Sequence, residues 1–466
     1  MQFLKVRGKH IVNESGEKVF LRGVNLGGWL NMENFITGYP GAESTLRAAV
    51  REALGEERYQ AFFGSLLDAF VTEGDFRFLR EIGVTVVRVP FNYRHFEDDI
   101  APGQYRPEGF HYLDRVIALG KQYGIHVILD FHAAPGWQNP DWHSDNPHGV
   151  ALLWEHRDFQ RRALNLWLHI AERYKDEPAV AGYNLLNEPT APTIGHLNRL
   201  YREWIPAIRQ VDRRHIFFID GNNYSRDFEG MEPPADDNVV ICSHNYTIPT
   251  HRARTYPGRV DGVWADRAYM EQEFRRVNRW ILERNLPCLV GEFGALFDGG
   301  AASPTNPDLA RLAALRDQLS VFHEYEQHWT IWTYKDVDVQ GLVVPRAESE
   351  YMRRIRPILE AKRRLGTDAW TSREGGLLMT WAGHVLDLMV AELNEFSLDM
   401  AALRKALGLK AVYGLLAGSL APVYASLFQD MTAEQIRAMH HEAFAFENCV
   451  RREYLIDVLR EALQRR

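Results

Sequence analysis

"VAGYNLLNEP", from Val180 to Pro189, begins as an unbroken small and apolar run and closes on an amide beside a carboxylate, Asn187 and Glu188. Apolar side chains at successive rather than alternate positions mark a strand buried on both faces, the signature of a parallel sheet covered by helices. Seven further runs share this character: "FLRGVN" (20–25), "VTVVRVP" (84–90), "HVILDFH" (126–132), "IFFIDGN" (216–222), "VVICSHNY" (239–246), "CLVGEFG" (288–294) and "WTIWTYKD" (329–336). Stretches of helical period lie between them, such as 73–83, 109–124 and 158–176. Eight strand–helix units predict an α/β fold of the closed (β/α)8 TIM-barrel type. The competing open, doubly wound sheet is disfavoured. No G-x-G-x-x-G follows the first run, and polar residues end nearly every strand instead of gathering at one switch point.

The barrel expectation assigns residues 1–366 to a catalytic unit with an N-terminal β-hairpin, its turn near Asn13 to Gly16, and a long first βα loop from Leu30 to about Thr72. "SEYMRRIRPILEAKRRLG" (349–366) is read as the final barrel helix, and 367–466 as an all-helical extension. Within that extension Thr432 and Gln435 have capping-box spacing. "AVYGLLAGSLAPVYASLFQ" (411–429) carries no charge over nearly a bilayer's width. Two glycines, two serines and Pro422 divide it, so a buried pair of short helices is expected in preference to membrane contact.

Composition narrows the function classes. A net charge of -8 with 25% charged residues shows no basic footprint, which argues against nucleic acid as a partner. Three scattered cysteines suggest neither a disulfide framework nor a Cys-x-x-Cys metal site. The N-terminal stretch lacks an apolar signal segment, so a cytoplasmic location is the expectation. Neither "DWHSDNPH" (141–148) nor "MHH" (439–441) has metal-ligand spacing. The first is read as a loop lining substrate subsites through Trp137, Trp142 and His143, the second as helix surface. No metal and no cofactor is expected.

In a parallel barrel the chemistry sits at the C-terminal strand ends. There stand Arg88, His132, Asn187, Glu188, His244, Tyr246, Glu292 and Trp332. Taken singly each has a bland reading as a helix-terminal charge, a satisfied polar group or core. Together they supply what a glycosidase needs, two carboxylates facing across one mouth, Glu188 and Glu292, to protonate the leaving oxygen and to attack or assist at the anomeric carbon. Asn187 can meet a sugar 2-hydroxyl, and Tyr246 and Arg88 can hold Glu292 ionised beside an acid of raised pKa. His132 and His244 offer ring donors, while Trp332 and Trp137 offer flat faces for a pyranose.

"NLLNEP", "GEFG", "RVPFNY", "LDFHAAPGWQN", "SHNY" and "WTYKD" resemble the signature of glycoside hydrolase family 5, the cellulase-type enzymes, over roughly residues 20–345. "RGVNLGGWLNMENFITG" is most similar to the exo-β-1,3-glucanase branch. The resemblance implies Glu188 as acid/base and Glu292 as nucleophile of a retaining double displacement, with the other six residues binding and supporting. The expected substrate is a β-linked oligosaccharide or small β-glycoside, with exo action on β-glucosides first. β-Mannosides, an endo-acting glucanase or mannanase and glycolipid or steryl β-glucosides are the alternatives. A carbohydrate-binding degenerate barrel and a membrane-associated interaction protein are the non-enzymatic ones.

Overall fold

The computed structural model describes residues 1–368, 370, 376–393 and 396–465. Eight parallel strands close on themselves: β1 (Arg22–Asn25), β2 (Val86–Asn92), β3 (His126–Ala133), β4 (Val180–Asn184), β5 (Ile216–Asp220), β6 (Val239–His244), β7 (Cys288–Glu292) and β8 (His328–Ile331). Trp329, Thr330 and Ile331 of β8 pair with Arg22, Gly23 and Val24 of β1 and shut the ring. Each strand falls within or beside one of the eight apolar runs, because burial on both faces favours apolar side chains at successive positions. The fold is the expected (β/α)8 barrel.

The first βα connection carries α1 (Glu43–Phe70), and the outer ring contains α2 (Glu73–Ile82), α3 (Pro107–Tyr123), α4 (Arg157–Tyr174), α5 (Ile194–Val211), α6 (Arg267–Glu283) and α7 (Asn306–Glu324). Local chemistry sets their ends. Thr72 and Asp75 cap α2 reciprocally, and Gly83 stops it in the left-handed region at φ 96°. The N-terminal hairpin pairs Lys5–Arg7 with His10–Val12 around Gly8, with a further turn at Asn13–Gly16. Its Leu4 and Ile11 join Val86, Ile128, Phe218 and Leu289 in an apolar plug at the barrel's N-terminal end. The opposite end is left to polar groups.

The end of the chain departs from expectation. α8 (Glu350–Leu365) is not the eighth barrel helix. It packs on α9 (Leu377–Glu392), α11 (Ala421–Ser426) and α12 (Ala433–Phe444), and its buried Lys362 Nζ donates to the carbonyls of Asn34 and Tyr39 in the first βα loop, at 2.8 and 2.7 Å. The slot between α7 and α2 is filled by α13 (Glu453–Gln464), the last helix of the chain. Just before it Val450–Arg451 pairs with Val343–Val344. Helical period in 350–365 announces a buried face but not the surface it meets. Where the sequence reading ended the barrel at residue 366, the wall is completed some ninety residues later.

Residues 367–466 are otherwise helical where described, and the Thr432–Gln435 capping box is present. The 411–429 stretch does not form two separate buried helices. A helix begins at Met400 as α10 (Met400–Ala406), widens to i→i+5 hydrogen bonding over Leu407–Leu416, turns at Ser419–Leu420 and resumes as α11. Val412, Ala417 and Tyr424 are buried, whereas Leu415 and Val423 face solvent. Among the described residues, Met400–Ser426 is the one helix long and apolar enough to cross a membrane by length and composition. "MHH" is only partly helix surface. His441 is exposed, but His440 is buried beside Phe62 with Nδ1 2.8 Å from Ser65 Oγ.

Candidate active site

The two glutamates meet at the C-terminal mouth by different routes. Glu292 is the last residue of β7, so a rigid strand aims it. Arg88 Nη1 of β2 donates to its Oε1 at 2.9 Å and Tyr246 Oη to its Oε2 at 3.0 Å. Arg88, fully buried, also donates to Asn25, Asn184 and Asn187 side-chain oxygens and pairs with Asp130 at 3.1 Å. Burial opposes its charge, but Asp130, Glu292 and Asp220 outweigh that and hold the guanidinium firmly protonated. Glu292 thus faces a permanent cation.

Glu188 lies four residues beyond β4, on left-handed backbone at φ 46°. A non-glycine residue holds that conformation only when its surroundings over-determine it, at roughly 1–3 kcal/mol. Its N–H donates to Asp220 Oδ2 at 3.0 Å, and its carbonyl accepts from Asn139 Nδ2 at 3.0 Å. Gln138 Nε2 ties the preceding carbonyl of Asn187 to that of His132. The side chain is gripped by imidazoles, Oε1 at 2.6 Å from His244 Nδ1 and Oε2 at 3.1 Å from His143 Nε2. Polar atoms of Glu188, His244 and Glu292 all lie within 4.8 Å of one another.

The expectation of a raised-pKa acid at Glu188 is not met in the free site. Burial pushes this carboxyl up, but His244 and His143 outweigh it and hold Glu188 below the usual range. Burial works against charge on both imidazoles in turn. Even so, Glu188 and Asp141 raise His143 to about 9, and Glu292 with Glu188 raises His244. The acidic proton therefore rests on nitrogen beside Glu188.

The remaining residues of the sequence reading, save one, gather here. His132 Nδ1 is 2.7 Å from Asp130, its Nε2 is 3.4 Å from Glu33, and its ring stacks on Trp332 at 5.3 Å. Burial disfavours charge on His132, but Asp130 and Glu33 draw it up to about 10. Asn187 Nδ2 sits 3.3 Å from His132 Nε2. Trp332 follows β8 and its ring lies so close over Gly27 that a Cβ there would come within 2.7 Å of it, which explains glycine in "NLGGW". Trp137 is the exception. Its indole donates to the Asp145 carbonyl and its ring meets His148, away from the pocket lining.

The pocket is a cavity of about 260 Å³ lined also by Glu33, Asp141, Trp142, Tyr224, Arg226 and Trp370. Of these Asp141 and Trp142 belonged to the expected subsite loop. Glu33, Tyr224, Arg226 and Trp370 were not singled out from sequence. Glu33 was the most accessible to reasoning, an acid within an otherwise uncharged stretch after β1; burial lifts its carboxyl above the ordinary range. Tyr224 lies on left-handed backbone with both its neighbours, and nothing local in "GNNYSRD" announces that. Trp370 arrives from beyond α8 and packs on Tyr246 and Phe35. A larger groove of about 630 Å³ along α5 shares no residue with this pocket, and its acids Glu232 and Asp236 are paired to Arg202 and Arg209.

Comparison with known proteins shows the family. Residues 58–338 match the family model described as cellulase (glycosyl hydrolase family 5). A β-xylosidase of Phanerodontia chrysosporium is 37% identical over 98% of both chains. Endoglucanase C of Acetivibrio thermocellus is 27% identical over 69% of this chain and 93% of its own. The crystal structure of the clostridial cellulose synthase subunit Z from Clostridioides difficile shares the fold, with a TM-score of 0.51 and 19% identity over 73% of this chain and 99% of that one. The chain belongs to glycoside hydrolase family 5.

Proposed function

We propose that this glycoside hydrolase is a retaining, exo-acting β-glycosidase that removes one pyranosyl unit, β-xylosyl foremost and β-glucosyl second, from short oligosaccharides or small β-glycosides. A single observation carries the reading. Two carboxylates whose oxygens approach within 4.8 Å stand in a cavity of about 260 Å³ with Trp142 and Trp370 in its wall. Retaining enzymes keep the carboxyl groups at about 5–5.5 Å, whereas inverting ones leave about 6.5–9.5 Å for a water. The volume lies just under the ~300–1,000 Å³ usual for ligand sites, which suits one sugar ring better than a threaded chain.

Glu292 attacks the anomeric carbon while Glu188 protonates the departing oxygen, leaving a glycosyl ester. Glu188 then takes a proton from water as that water displaces Glu292, and the β configuration is restored. Arg88 and Tyr246 keep Glu292 ionised and oriented. Asn187 and His132 face the sugar hydroxyls. The β-xylosyl preference is supported by the relative named β-xylosidase, matched over 98% of this chain and so beyond the barrel into the C-terminal region. The β-glucosyl reading rests on relatives named probable glucan 1,3-β-glucosidase, matched over about half of the chain.

Aryl β-xylosides, β-glucosides and β-mannosides, with the matching oligosaccharides, test it by product analysis and by NMR of the first-formed anomer. Single sugars released as the β anomer are expected. Internal fragments would defeat exo action, and a first-formed α anomer would defeat retention.

A further inference from the structure

We propose that His143 is a positioning residue that stores the proton Glu188 delivers to the leaving group, and recovers it in the second half of the reaction. The inference rests on the retaining reading of the same site and concerns a residue outside the eight that carry the family resemblance.

The geometry gives His143 Nε2 a partner in either protonation state. Protonated, it donates to Glu188 Oε2 across 3.1 Å. Neutral, it presents a lone pair to Asn139 Nδ2 at 2.9 Å. The orientation of that amide is set independently, since Asn139 Oδ1 accepts from the Asp141 N–H at 3.1 Å and Nδ2 spends its other hydrogen on the Glu188 carbonyl at 3.0 Å. Asn139 thus anchors the Glu188 backbone and waits on the nitrogen beside its side chain. A polar group buried in both states needs a partner in both, or one state becomes inaccessible. The His143 carbonyl accepts from Asn31 Nδ2 at 2.9 Å, which pins the turn that carries the ring.

His244 is a poorer store. Its Nδ1 lies 2.6 Å from Glu188 and 3.6 Å from Glu292, so it bridges both carboxylates and loses its proton only against two negative charges. His143 touches one carboxylate. Burial lowers its affinity for a proton, and Glu188, Asp141 and Glu33 more than restore it. The His132 and Trp142 rings lie 5.8 and 6.4 Å away, and Tyr224, at 6.4 Å, has Lys405 Nζ over its ring, 5.3 Å from the centroid. Arg226 stands in the pocket wall.

The proton balance closes. In the free site Glu188 is a carboxylate against an imidazolium. As the glycosidic oxygen approaches, the proton passes from His143 Nε2 to Glu188 Oε2 and on to that oxygen while its bond to the anomeric carbon breaks, leaving neutral His143 held by Asn139. In the second step the attacking water gives its proton to Glu188, which returns it to Nε2.

Full-length wild type, His143→Gln and Asn139→Ala are compared on phenyl and 2,4-dinitrophenyl β-xyloside (or β-glucoside, whichever the wild type prefers), recording kcat/KM against pH. His143→Gln is expected to lose about 100-fold on the phenyl substrate, whose leaving group needs a proton, and about tenfold less than that on the dinitrophenyl one. Its alkaline limb is expected to move down by about one pH unit or more, and that of Asn139→Ala to move up, since the neutral imidazole has lost its partner. Equal losses on both substrates, or a limb unmoved in His143→Gln, would overturn the proposal and leave His143 a packing residue. If His143→Gln does not fold, the Asn139→Ala limb decides alone, and one unmoved or lowered overturns it. A wild type inactive on every β-glycoside would instead defeat the retaining reading itself.

Discussion

The two carboxylates of this site are held in opposite ways. Glu292 ends a barrel strand and is fixed by Arg88, a buried guanidinium that never titrates, and by Tyr246. Glu188 sits on strained loop backbone and is fixed by His143 and His244, which do titrate. A nucleophile must be ionised whenever it is free and must not take up a proton, so a permanent cation on a rigid strand suits it. An acid/base catalyst must change protonation twice per turnover, so partners able to exchange a proton suit it. The site builds one fixed pole and one adjustable pole less than 5 Å apart.

The largest effect should come from the fixed pole. Glu292→Gln removes the proposed attacking group and is expected to lower kcat by more than about 10⁴-fold with folding intact by circular dichroism; near-normal turnover would remove Glu292 from the nucleophile role. At the adjustable pole Glu188→Gln should lower kcat/KM by about 10²–10⁴-fold on phenyl glycosides and far less on dinitrophenyl ones, with azide restoring turnover as the β-glycosyl azide. A uniform loss on both would break the contrast.

Arg88→Met tests permanence of charge. It leaves Asp130 and Glu292 without their buried cation, so a loss of about 3–5 kcal/mol in denaturant unfolding is expected along with activity. Tyr246→Phe removes one charge-assisted hydrogen bond of about 1.5–3 kcal/mol and should reduce kcat by roughly 10- to 150-fold, without changing the leaving-group dependence.

The smallest effect concerns stability against pH. His132 and His143 have folded-state pKa values of about 10 and 9, above the ordinary 6.5. A raised folded pKa contributes stability that is complete below about pH 6.5 and lost as pH rises through the folded values. Denaturation midpoints should therefore decline between about pH 6.5 and 10, and His143→Gln should flatten the lower part of that decline. An unchanged slope would remove His143 from the titrating pole.

The reasoning from sequence succeeded where one local rule suffices. Runs such as "HVILDFH" are legible because a strand buried on both faces favours apolar side chains at successive positions, and the shared mouth of Glu188 and Glu292 because a parallel barrel gathers its C-terminal strand ends at one face. It failed where a side chain's role depends on what meets it. Trp137 and Trp142 lie in the same loop with the same apolar character, yet the indole N–H of Trp137 finds the Asp145 carbonyl while Trp142 turns to the pocket. The helical period of 350–365 is real, but the partners that hold Lys362, the carbonyls of Asn34 and Tyr39 among them, lie elsewhere in the chain.

By itself the sequence determined the barrel, its order and the place of the two glutamates at one mouth, since burial pattern and strand-end position are properties of short segments. The tertiary structure alone decided that α13 completes the wall, that Glu33 and Trp370 reach the pocket, and that Glu188 lies below rather than above the usual carboxyl range. Those are sums over partners distant in the chain. A buried charge responds to each of them through distance and local dielectric, which no stretch of sequence contains.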